Sequence, residues 1–131
     1  MVVMRAAALL GLLTTLALAA VAGLFTTGDV GMLDWHSTLA TLLAVLVLVQ
    51  LVDSVLLWRG NRRLRAPIAG SVLVVLMVVV QIMLGDSRVL AGHMPLGMAI
   101  CAAQAVLAYW SFGLRPAGRA QRTEAVAGEA A

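Results

Sequence analysis

Four long apolar runs cover most of this 131-residue chain. They extend over 6–28, 36–58, 66–85 and 89–114, and Asp53 is the only Asp, Glu, Lys or Arg within them. About 20 apolar residues are enough for an α-helix to span a bilayer. We therefore expect an all-α polytopic membrane protein, an up-down-up-down four-helix transmembrane bundle with helices at about 5–27, 36–58, 65–85 and 92–114.

The composition leaves little room for a soluble domain. Hydrophobic residues make up 63% of the chain and charged residues 11%, whereas soluble domains carry about 25% charged residues. We expect one transmembrane domain over 1–115, surrounded by the lipid bilayer. Any chemistry then lies inside the bundle or at its rims.

The arginines predict the orientation of the bundle. The chain has nine cationic side chains, all of them arginine, and only Arg88 falls on the side of the second and fourth helix starts. The other eight are Arg5, Arg59, Arg62, Arg63, Arg65, Arg115, Arg119 and Arg122. Because cytoplasmic loops are enriched in cations, both termini are predicted to be cytoplasmic in a plasma (inner) membrane. The same rule explains the net positive charge of the chain, so we expect no nucleic-acid partner. The small polar segment 116–131 predicts a disordered cytoplasmic tail.

The two histidines of the chain occupy matching places. His36 opens "HSTLA" and His93 opens "HMPLG", so each is followed by x-x-Leu-small at the outer end of helix 2 or helix 4. The likeness indicates a weak internal repeat of one helical hairpin. Helices 2 and 4 are diagonal partners in an up-down-up-down bundle, where cofactor sites form between facing core helices.

Helical spacing places each histidine above a small residue. Positions i, i+4, i+7 and i+11 share a helix face. The stripes are His36, Ala40, Leu43, Val47 and Gln50 in helix 2, and His93, Gly97, Ile100 and Gln104 in helix 4. A flat group could approach the backbone at Ala40 and Gly97. In helix 3, Gln81 should share the depth of the histidines. In helix 1, Ala19 and Gly23 have the small-xxx-small spacing of a close helix contact.

This pattern favours one bis-histidine haem b between helices 2 and 4. His36 and His93 would be the axial ligands, with the ring lined by Ala40 and Gly97. Arg88 would face the propionates, and Gln81 would hydrogen-bond a histidine N–H or a propionate. With both axial positions filled, we expect electron transfer and no further catalytic activity. The quinone pool or a redox protein would be the partner, and a homodimer or larger complex is a plausible assembly.

Three alternatives remain open at this stage. A histidine at a helix end is often only an interfacial residue. A copper or other metal site at the outer rim would use His36 with Asp34, or His93 with Met94 and Met98. The chain could also be a cofactor-free accessory or scaffold subunit. The colour of the purified protein distinguishes such a subunit from a haem protein.

Three polar residues lie deeper in the runs. Gln50 and Gln104 fall 14 and 11 residues after His36 and His93, about 16 to 21 Å further in at 1.5 Å per residue. Asp53 lies near the arginine loop and is expected to reach Arg59 or Arg62. The alternative for Asp53 is a quinone or proton site.

These residues resemble a known family. Segment 80–93, "VQIMLGDSRVLAGH", is similar to a helix–loop segment of haem A synthase. Over about 36–112 the chain resembles one four-helix half of that enzyme, and also small actinobacterial four-helix membrane proteins with paired histidines. The resemblance implies that His36 and His93 ligate haem. The chain lacks a second histidine set, a helical carboxylate near His36 and an outer-loop cysteine pair, so it implies haem binding rather than haem A synthesis.

Overall fold

The computed structural model describes residues 2–58 and 65–113, which form four α-helices. They are α1 (Val2–Thr26), α2 (Met32–Trp58), α3 (Arg65–Asp86) and α4 (Leu90–Gly113). The predicted all-α class is confirmed, and each helix is long and apolar enough to cross a membrane. The predicted tail at 116–131, and the cluster at Arg59, Arg62 and Arg63, lie outside the described residues.

The helices pack in a ring. Among the described residues, α1 packs against α2 and α4, and α3 packs against α2 and α4, whereas the backbones of the two diagonal pairs do not approach each other as closely. Neighbours run antiparallel: Arg5 Nε near the start of α1 donates to the Ser111 carbonyl near the end of α4, at 3.0 Å. Ser54 and Ser71 pair across α2 and α3 in the same way, with 3.5 Å between their hydroxyl oxygens. The bundle is therefore up-down-up-down, with α2 and α4 on a diagonal.

The core follows the predicted stripes. Leu43 and Val47 of α2 and Ile100 of α4 are buried on the bundle axis, as the helical spacing predicts. The full cluster is Leu43, Val47, Val74, Val78, Ile100 and Leu107. In lipid, close van der Waals packing of these side chains holds α2, α3 and α4 together.

The close contact of α1 is deeper in the helix than predicted. Ala19 and Gly23 are exposed, and a Cβ at Gly23 would meet nothing within 4 Å. The buried small residues are instead Ala7, Ala8 and Gly11. The prediction was wrong because spacing alone does not say which small-residue face meets a neighbour.

The outward faces of all four helices are apolar. Within the apolar stretch of each helix, only 17–22% of residues are buried inside the chain. Large side chains such as Leu48, Leu76 and Met98 are more than half exposed. Exposure of such a continuous apolar surface is unfavourable in water, whereas contact of this surface with lipid is not. This surface is consistent with a multi-pass membrane protein.

The turns α1–α2 and α3–α4 have the same hydrogen bonds at an offset of 60 residues. The N–H of Asp29 donates to Leu24 O at 3.2 Å, and the N–H of Val89 donates to Leu84 O at 2.9 Å. Gly28 and Arg88 hold the left-handed position of this helix cap, with φ of 110° and 56°. The two turns match at an offset of 60 residues, whereas the predicted repeat aligns His36 with His93 at an offset of 57, so the turns do not confirm that repeat. We call the end of the bundle with these two turns the outer end, and the half of the bundle away from it the inner half.

Candidate functional site

The structure brings the two histidines together. The ring centroids of His36 and His93 are 6.0 Å apart, and the ring planes are inclined by 47°. Both residues are partly buried. The backbones of α2 and α4 are not adjacent, so the two side chains reach across the bundle diagonal near its outer end. Residues 57 positions apart in sequence thus form one pair, as the sequence predicts.

His36 lies inside α2 rather than at its start. The helix begins at Met32, four residues before the predicted position, because Asp29 caps the preceding turn: its carboxylate accepts the Gly31 N–H at 3.2 Å. The His36 ring interacts with the backbone of Leu18 in α1. Counted from the turn that precedes each helix, His36 therefore lies about one helical turn further along α2 than His93 lies along α4.

His93 is held by the end of α3. Its Nδ1 lies 3.0 Å from the carbonyl oxygen of Gln81. Gly85 makes room for the ring, since a Cβ there would lie 3.2 Å from Cε1 of His93. An Nδ1–H that donates to a backbone carbonyl fixes the tautomer and leaves Nε2 free to accept or to ligate a metal.

Gln81 reaches His93 through its main chain. We expected the side-chain amide to bond a histidine N–H, but the carbonyl occupies that position because the ring lies back against α3. The amide instead points to α4, where a Cβ at Gly97 would lie 3.0 Å from Gln81 Nε2. Gln81 Oε1 is buried without a hydrogen-bond partner. The predicted contact with a propionate stays a prediction.

The packing changes from polar to apolar directly below the histidine pair. Ala40 and Gly97, one turn below the histidines, are partly buried. Leu43 and Ile100, seven residues below His36 and His93, are the first members of the buried core on their helices. The histidines therefore lie above the apolar core, in a layer with small side chains beneath them.

Arg88 lies at the outer end, between α3 and α4, and is exposed. It is the only non-glycine residue with positive φ in the described ranges 2–58 and 65–113. That backbone conformation costs a side-chain-bearing residue about 1–2 kcal/mol relative to the right-handed one. The repeat has Gly28 at the same position, so the arginine occupies a place where glycine is the easier residue.

The proposed rim metal site gains no support from the side-chain positions. Residues 2–58 and 65–113 contain no group of three His, Cys, Asp or Glu side chains that could hold a metal ion. Met98 is 75% exposed, and Met94 is also exposed. Both thioethers thus belong to the outward face of α4 rather than to a shared site with the histidines.

Asp53 lies in a surface groove of about 390 Å³. The other lining residues are apolar: Val3, Val45, Leu48, Val49, Val52 and Leu56. Asp53 Oδ2 is buried and has no hydrogen-bond partner among residues 2–58 and 65–113. The arginines expected to pair with Asp53, Arg59 and Arg62, lie outside the described residues, so that pairing stays a prediction.

Sequence reasoning missed Gly85 and the Gln81 carbonyl as elements that hold His93. A signal existed, because Gly85 interrupts an otherwise large-residue stretch one turn after Gln81. No known protein family, curated protein or solved structure matches this chain. The resemblance to haem A synthase therefore depends on the residues quoted above.

Proposed function

We propose that this chain is a small membrane b-type cytochrome with one haem b between α2 and α4 near the outer end of the bundle. The observation that carries the proposal is the 6.0 Å separation of the His36 and His93 ring centroids. Metal–imidazole bonds are about 2 Å long, so two imidazoles on opposite sides of one iron have centroids roughly 6 Å apart. The pair fits that requirement.

The surroundings of the pair support axial ligation. The Gln81 carbonyl fixes Nδ1 of His93, which is the usual outer partner of a ligating histidine. The Leu18 backbone has the equivalent position beside His36. The small residues Ala40 and Gly97 lie on the two helices that would flank the ring, and the Gln81 amide occupies the space beside Gly97. Arg88 is the cation at the outer end that would pair with propionates.

A haem iron with two histidine ligands has no open position and supplies one-electron transfer. The residues of this chain would hold the group, orient both ligands and exclude lipid from it. We propose that the four helices span a plasma membrane with both termini in the cytoplasm, which puts the pair near the outer face. The electron partner is then the quinone pool or a redox protein.

The test is an absorption spectrum of the full chain, purified in mild detergent from haem-supplied cells. We expect a Soret band, with sharp α and β bands after dithionite reduction. His36→Ala and His93→Ala should each lose these bands, while the exposed neighbours Ser37→Ala and Met94→Ala keep them. Circular dichroism confirms that all four variants remain helical. A colourless, helical wild-type protein would contradict the proposal.

A cofactor-free accessory subunit is the second candidate, and Asp53 is the observation that favours it. A carboxylate in an apolar groove of a membrane helix requires a partner or a proton. A basic residue on a helix of another subunit would satisfy it. Under this reading the histidine variants leave the spectrum unchanged, and Asp53→Leu weakens assembly with the larger complex.

A further inference from the structure

The inner half of the bundle contains buried amides that no protein group satisfies. Gln104 in α4 has 0% of its surface exposed and Gln50 in α2 has 2%. Within the described part of the chain, both amide atoms of Gln104, Nε2 and Oε1, lack a hydrogen-bond partner, and so does Oε1 of Gln50. Leaving such groups unpaired away from water costs free energy comparable to a lost hydrogen bond.

The buried hydroxyl groups nearby differ from these amides, because they are paired locally. Ser54 donates to the Gln50 carbonyl at 2.7 Å, and Ser111 donates to Ala108 O at 2.7 Å. Thr14 and Thr15 likewise donate to carbonyls of their own helix. Apart from Asp53, which lies in the surface groove, the unpaired buried atoms in this half of the described bundle belong to the two glutamine side chains.

The Gln104 amide packs against Gly11 of α1, in the space that a side chain at position 11 would occupy. A Cβ at position 11 would lie 2.7 Å from Nε2 and 3.2 Å from Cδ of Gln104. Any residue with a side chain at position 11 would force the amide to move. The sequence therefore has a residue without a side chain beside a fully buried polar group that lacks a protein partner.

From the burial and the unpaired atoms of these side chains, we infer that Gln104 and Gln50 each bind internal water within the inner half of the bundle. The unpaired set contains two acceptor oxygens and one donor nitrogen. Water both donates and accepts, so it satisfies the whole set. A cation would satisfy the oxygens but would be repelled by the NH₂ group. This water site is separate from the histidine pair and does not depend on haem.

The experiment is water-to-amide magnetisation transfer by NMR on the full chain in lipid nanodiscs, labelled with ¹⁵N at glutamine. The Gln104 signal is identified by its loss in Gln104→Met. We expect clear transfer from water to the Gln104 NH₂ protons in the wild type. Absence of transfer in the wild type would overturn the inference.

Two glycine variants make the test specific. Gly11→Ala should reduce the transfer severalfold, because the new Cβ displaces the amide. Gly23→Ala is the matched control in the same helix, since a Cβ there meets nothing within 4 Å, and should leave the transfer unchanged. Equal transfer in Gly11→Ala and the wild type, with helicity retained, would contradict the site.

A stability measurement covers the case in which Gly11→Ala does not fold. Gln104→Met has nearly the same shape without hydrogen-bonding groups. If water satisfies the amide, the variant loses hydrogen bonds, and its thermal unfolding midpoint falls. If the amide is dry and unpaired, removing it relieves a penalty, so an equal or higher midpoint would overturn the inference.

Discussion

Gly85 and His93 are in direct contact because residue 85 has no side chain: a Cβ there would lie 3.2 Å from Cε1 and 3.4 Å from Nδ1 of the imidazole. The same nitrogen lies 3.0 Å from the Gln81 carbonyl. Two backbone features of α3 thus fix one ring of α4. The orientation of His93 is decided by main chain rather than by a partner side chain.

Gly85→Ala should weaken haem binding about tenfold, or roughly 1.4 kcal/mol. The added methyl group pushes the ring away from the Gln81 carbonyl and so misdirects its second nitrogen. Haem titration of the apoprotein, followed at the Soret band, measures the effect. Gly23→Ala, which adds a methyl group to open space in α1, is the control. Equal affinities of the two variants would show that Gly85 does not position the ring.

Gln81→Leu should keep haem binding within about twofold of the wild type, a change of less than 0.5 kcal/mol. The bond to His93 uses the carbonyl of residue 81, which the substitution retains. Haem titration followed at the Soret band tests this prediction. Loss of the Soret band in a stable Gln81→Leu protein would mean that the side chain contacts the bound group.

Arg88→Gly should make the protein more stable while lowering its reduction potential. Glycine removes the penalty of the left-handed conformation at position 88, a gain of about 0.5–1 kcal/mol. Loss of a positive charge disfavours the reduced state, so the midpoint should fall by tens of millivolts, where about 59 mV corresponds to 1.4 kcal/mol. Redox titration checks the shift. Arg88→Lys keeps the charge and should leave the potential close to the wild type.

Arg5→Met should destabilise the bundle by about 1–2 kcal/mol without changing the visible spectrum. The Arg5 guanidinium donates to the Ser111 carbonyl and lies 5.6 Å from the centroid of the Phe112 ring, so it fastens the start of α1 to the end of α4. The histidine pair is at the opposite end. Val3→Met is the control, since Val3 is exposed beside it. A spectral change in Arg5→Met would indicate coupling between the two ends.

The four-helix fold was predictable because four long apolar runs leave few alternatives. Spacing of 3.6 residues per turn also identified the inward stripes, and with them the diagonal pairing of His36 and His93. Contacts between helices were not predictable in this way. The choice of Gly11 over Gly23 in α1, and of a carbonyl over an amide at Gln81, depends on helix rotation and on ring orientation. Helix rotation and ring orientation produce no periodic pattern in a sequence rich in leucine and valine, so the sequence does not predict them.

The apolar core between the two polar layers has a consequence for ion permeability. On α2, α3 and α4, the side chains of Leu43, Val78 and Ile100 separate the histidine layer from the glutamines and serines further in. An apolar layer of this kind opposes the passage of ions and of hydrogen-bonded water between the two polar layers. We therefore expect a bilayer that contains this protein to keep its proton gradient. The chain can hold polar groups at two depths and still act as an insulator between them.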